Sequence, residues 1–153
     1  MKGRLDSFLL FAAVLYLVFV VYGSLVPLRP VPIPFDEAWQ RFLSIRTLRL
    51  GILARADWVA NLLLMLPLAF LWLTAIATGR GAAGRAVLSA AVLVGCIALA
   101  FVIEFTQVYF PQRTVSVNDI VAEGIGATLG VLLWWVLGDR AARWLRRWQE
   151  TRG

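Results

Sequence analysis

An all-α integral membrane protein with four spanning helices is the fold this sequence predicts, on three observations. Of its 153 residues 61% are apolar and only 16% charged, against roughly 45–50% and a quarter in soluble domains. The apolar residues collect in four long runs with almost no charge inside them. The polar side chains beside those runs gather at one end. A single domain over residues 1–153 fits the length. A soluble domain this small cannot bury so much apolar surface, and exposing it in large patches would aggregate the protein.

Uncharged runs cover 7–28, 58–78 and 86–103, and a fourth over 120–137 is interrupted only by Glu123; with their ends included, the spans are expected at about 7–28, 58–78, 86–107 and 117–137. About 20 helical residues span the roughly 30 Å of hydrocarbon. Only a helix satisfies its own backbone there, apart from a closed barrel. The first run continues past Gly23 and carries Tyr16, Phe19 and Tyr22, which reads as a retained helix rather than a cleaved signal. Pro30, Pro32 and Pro34 make the exit from it extended. Beyond them Phe35, Trp39, Phe42, Leu43 and Leu50 mix with Arg41, Arg46 and Arg49. That mixture predicts a short interfacial helix in the first loop, with Asp36 placed to cap it. A basic amphipathic C-terminal helix is expected over 139–149, where Trp144 and Trp148 lie among Arg140, Arg143 and Arg147 and suit an anionic leaflet. Pro67 should kink the second span. Gly126 and Gly130 have the small-residue spacing of close helix packing, and Trp134 and Trp135 fit an interfacial aromatic belt.

Four spans put both termini on one side. That side holds nine Lys and Arg residues against six on the other, so the positive-inside rule predicts cytoplasmic termini.

The composition also excludes. With no histidine, histidine triads, histidine-ligated zinc and histidine proton relays are absent. Cys96 is the one cysteine, so no intramolecular disulfide and no paired-cysteine metal site exists; it reads as a packing residue. The basic residues are spread through loops and the C-terminus, with no aromatic-interleaved soluble surface for nucleic acid.

Asp57 and Asn61 lie one turn apart at the start of the second span, Glu104 and Gln107 at the end of the third, and Asp119 and Glu123 at the start of the fourth. Each pair shares a helix face. Because the helices alternate in direction, all three pairs and Arg113 fall at one end. Glu123 lies about 6 Å deeper than Asp119. Ionisable groups at such depth face a bundle interior and mark function. Asp119 also suits a capping box with Ser116, and Arg113 could neutralise a carboxylate as a structural clamp. Four carboxylates against Arg113 favour either protonation of some of them or a bound cation. A divalent magnesium or calcium ion on Glu104, Asp119 and Glu123 would fit, and could bridge to a diphosphate. Carboxylates also provide general acid and base. The spacing does not choose among these uses.

Taken together, these motifs resemble the VanZ-like family of small bacterial membrane proteins. Tyr22 and Pro27 close the first span; Asp57, Asn61 and Pro67 follow in one spaced series. Glu104-Phe-Thr-Gln107, Pro111-x-Arg113 and Asp119 precede the glycines Gly126 to Gly130. Similar proteins usually carry asparagine where this chain has Glu123. The resemblance covers most of the chain and implies a bacterial inner-membrane protein of the cell envelope. The family takes its name from a protein associated with teicoplanin resistance. What it implies is a site for envelope lipids, lipid-linked precursors or amphiphilic glycopeptide antibiotics. A hydrolase or transferase on lipid-linked substrates, or a structural subunit with a membrane protein partner, are the alternatives.

Overall fold

Charge-poor apolar runs that must close their own backbone hydrogen bonds become helices. The computed structural model describes residues 2–47 and 52–150, and it is all-helical there. α1 spans Lys2–Leu25, α2 Phe35–Leu43, α3 Ile52–Ile76, α4 Ala82–Gln107 and α5 Val117–Glu150. Within α1, α3, α4 and α5 the stretches Ser7–Leu25, Arg55–Ile76, Ala82–Gln107 and Val117–Leu145 are long and apolar enough to cross a membrane. The four expected spans are present.

Their ends differ from the sequence reading in physically simple ways. α1 stops at Leu25 rather than residue 28, because Pro27 lacks an N–H and disfavours helical backbone at Val26. α3 begins at Ile52 rather than 58; Arg55 and Asp57 end an apolar run but do not end a helix. Asp57 therefore lies more than a turn inside α3 rather than at its start. α4 likewise starts at Ala82, directly after Gly81. The separate C-terminal helix is replaced by continuation of α5 through to Glu150. No proline interrupts it, and Gly138 gives room for the Trp134 indole, which lies 2.5 Å from where a Cβ would stand. The side chain of Trp148 lies outside the described ones, as do Arg49 and Leu50 of the first loop.

α3 is the central helix, packing most extensively on α5 and then on α1. Lipid supplies no hydrophobic drive between helices, so small residues and close packing hold them. A Cβ on Gly126 would stand 2.2 Å from the Leu62 carbonyl oxygen, and one on Gly130 2.3 Å from that of Leu66. Both glycines thus serve contact within the bundle. Val20, Met65, Leu68, Ala69, Cys96, Ala100, Ile103 and Ala127 form the main core between α1, α3, α4 and α5. Pro67 sits inside α3.

The end of the bundle near the termini has its own lock. Trp134, expected in an aromatic belt, is fully buried and belongs to a second cluster with Leu73 and Ala77. The Arg85 guanidinium lies 4.7 Å from the Trp134 ring centroid and 4.9 Å from that of Trp135. It also pairs with Asp139 at 3.0 Å. Trp135, which is exposed, donates from Nε1 to Ser89 Oγ at 3.0 Å. These contacts bind the start of α4 to α5.

At the opposite end α2 caps α4. Phe105 is the hub, with ring centroids of Phe35, Trp39 and Phe42 at 5.7, 5.8 and 5.5 Å. Phe35 rather than Asp36 begins α2; Pro34 is the N-cap, and no side chain caps it. The proline-rich exit from α1 is tied down by Val31 N–H donating to the Tyr109 carbonyl at 2.7 Å.

Candidate functional site

The loop between α4 and α5 brings the ends of four helices together. Its backbone turns at Phe110 N–H to Gln107 O and at Arg113 N–H to Phe110 O, 2.8 and 2.9 Å. Ser116 then begins α5 as its N-cap, accepting at Oγ from Asp119 N–H at 3.3 Å. This is half of the capping box that the spacing suggests. The other half is diverted: Ser116 N–H donates to Glu104 Oε2 at 3.1 Å, and Ser116 Oγ donates to Asp119 Oδ2 at 2.7 Å. One serine thus connects the end of α4 to the start of α5.

Two further bonds bring in α1 and α3. Asn61 Nδ2 donates to Asp119 Oδ1 at 2.9 Å. Gln107 Nε2 donates to the Ser24 carbonyl at 2.8 Å. Glu104, Gln107 and Ser116 are buried. Unpaired polar atoms at such a depth would each cost about 1–3 kcal/mol, and these bonds remove that penalty while fixing the side chains.

The set forms the wall of a cavity of about 640 Å3 at the α2 end of the bundle, within the usual range for ligand sites. Asp57, Asn61, Glu104, Gln107, Arg113 and Asp119 all line it, together with Gly23, Ser24, Gln112, Thr114 and Asn118. Six of the seven residues singled out from sequence therefore meet in one place. Glu123 does not line the cavity. It is buried below it, 2% exposed, and its Oε2 has no hydrogen-bond partner among the described residues.

Formally the wall carries three carboxylates and one guanidinium. Glu104 and Asp119 are engaged by Ser116 and Asn61. The Arg113 side chain forms no ion pair with any described carboxylate, unlike Arg85 with Asp139 and Arg41 with Glu37. Arg113 thus makes no direct ion pair with Glu104 or Glu123, although its charge is close enough to act on Glu104. Nor, among the described residues, does any group of three His, Cys, Asp or Glu side chains form a metal-binding cluster.

Ser24, Gln112 and Thr114 were not anticipated as site residues. Ser24 interrupts the apolar run of α1 at the depth of the other polar residues, and Gln112 and Thr114 flank Arg113, so position alone was their signal.

No curated protein and no solved structure matches the chain. The family model described as VanZ/LLP1 matches residues 8–138, a stretch that contains the whole cavity wall and both packing glycines, and the chain belongs to the VanZ-like family.

Proposed function

We propose that the cavity binds the polar headgroup of a membrane amphiphile: an envelope lipid, a lipid-linked precursor or an amphiphilic glycopeptide-type antibiotic. The observation that carries this reading is the combination of a fixed polar wall with an Arg113 guanidinium that forms no direct ion pair with a described carboxylate. Internal bonding holds the wall in place, so little ordering is left to be done when a ligand arrives. Arg113 offers the planar, multi-donor cation best suited to phosphate or carboxylate groups. The excess of Lys and Arg on the side of the termini supports cytoplasmic ends, with the cavity at the outer face of a bacterial inner membrane.

Native mass spectrometry of protein released from its own membranes tests this. Ala60 lines the cavity, and Ala60→Trp fills it. Wild type should carry a lipid or amphiphile adduct that Ala60→Trp lacks; the same adduct on both proteins would contradict a cavity site.

A further inference from the structure

A second concavity, on α1 and α3, which both also line the cavity, has the opposite chemistry. It is an open apolar groove of about 500 Å3 on the lipid-facing side of α1 and α3, lined by Ala12, Leu15, Tyr16, Val18, Phe19 and Tyr22 of α1, with Leu71 from α3. Residues of the groove and of the cavity neighbour one another on α1 and α3. Tyr22 lines the groove, and the next residue, Gly23, lines the cavity. Tyr16 lines the groove and donates from its hydroxyl to the Leu64 carbonyl at 3.1 Å, while Leu64 lines the cavity. From Ala12 to Tyr22 the groove runs about 15 Å along α1, half of the ~30 Å hydrocarbon thickness and so one leaflet deep.

The charge on the cavity wall narrows the headgroup. A purely anionic headgroup would meet Arg113 favourably but also face Asp57, Glu104 and Asp119. Asp57 is exposed at the rim and forms no ion pair with the described residues. A headgroup with both a phosphate and an ammonium satisfies both signs. We propose that cavity and groove form one site for an amine-bearing, zwitterionic phospholipid, with its phosphate at Arg113, its ammonium toward Asp57 and one acyl chain in the α1–α3 groove. This rests on the headgroup reading above and adds the headgroup charge and the path of the chain.

The test is equilibrium binding to the purified full-length protein in a non-ionic detergent. The probes are dioctanoyl phosphatidylethanolamine, dioctanoyl phosphatidylglycerol and free phosphoethanolamine. The proteins are wild type, Asp57→Asn, and two groove-filling variants, Ala12→Trp and Val18→Trp, with melting temperature measured to show that each is folded. Phosphatidylethanolamine should bind about tenfold more tightly than phosphatidylglycerol, the worth of one charge-assisted contact. Asp57→Asn should erase that preference. Phosphoethanolamine should bind at least about a hundredfold more weakly, because it lacks buried methylenes. Both groove-filling variants should weaken the two lipids and leave phosphoethanolamine unchanged. Equal binding of the two lipids, or binding unaffected by either folded groove variant, would overturn this inference and leave the headgroup cavity standing. Failure of all three probes to bind wild type would likewise overturn this inference, while the headgroup reading is tested separately by the adduct on wild type and Ala60→Trp.

Discussion

Ser116 is the residue on which the polar wall turns. Its N–H goes to Glu104, its hydroxyl to Asp119, and that same hydroxyl accepts from the backbone of Asp119. Asp119 in turn holds Asn61 of α3. Replacing Asp119 by Asn turns an acceptor toward existing donors into a mixed group, at about 1–2 kcal/mol. Calorimetry in detergent should show a melting temperature about 3–6 °C lower for Asp119→Asn. Glu123 behaves oppositely. Its buried Oε2 has no partner among the described residues, and a buried charge without compensation is costly. Glu123→Gln should therefore melt at the wild-type temperature or above it; a fall of more than about 5 °C would show a partner bond that matters.

At the scale of elements, the contact between α3 and α5 governs stability. The absent Cβ atoms of Gly126 and Gly130 let α5 approach the α3 backbone at Leu62 and Leu66. Gly126→Ala would force the helices apart, with an overpacking cost of about 1–3 kcal/mol. Gly95→Ala is the control, since nothing lies within 4 Å of its added Cβ. The first should lower the melting temperature by several degrees and the second should not. These glycines were legible in the sequence because their spacing is local to one helix. The four spans were legible for a similar reason: lipid demands long charge-free runs. Helix ends were not. Excluding charges from the runs hid the first turns of α3, and a change to basic composition at residue 139 concealed the continuity of α5. Trp134 was misread because an aromatic belt is inferred from depth alone, whereas burial depends on which neighbouring helix it meets. Arg85, on a different helix, gave no sign that it would lie against both indoles.

For the whole molecule, two polar ends flank an apolar middle, and they differ in kind. At the end near the termini the Arg85 guanidinium pairs with Asp139 and lies against two indole rings, while its buried Nε has no hydrogen-bond partner among the described residues. At the cavity end Arg113 lines a space and pairs with no described carboxylate. The alternation of helix direction made the convergence of Asp57, Asn61, Glu104, Gln107, Arg113 and Asp119 readable from sequence. The exclusion of Glu123 from the wall was not, because one helical turn of depth separates a lining residue from a buried one. The contrast between the two arginines gives a paired expectation. Arg85→Ala should destabilise the fold by about 2 kcal/mol through loss of a desolvated cation–π contact. Arg113→Ala should leave stability intact and remove ligand binding. The most direct measurement is therefore a melting curve of wild type and Arg113→Ala with and without added phosphatidylethanolamine. The account predicts equal melting temperatures for the two lipid-free proteins and a lipid-induced rise, set by mass action, in wild type alone. A lipid-free Arg113→Ala that melts several degrees below wild type, or that gains as much from the lipid, would contradict it.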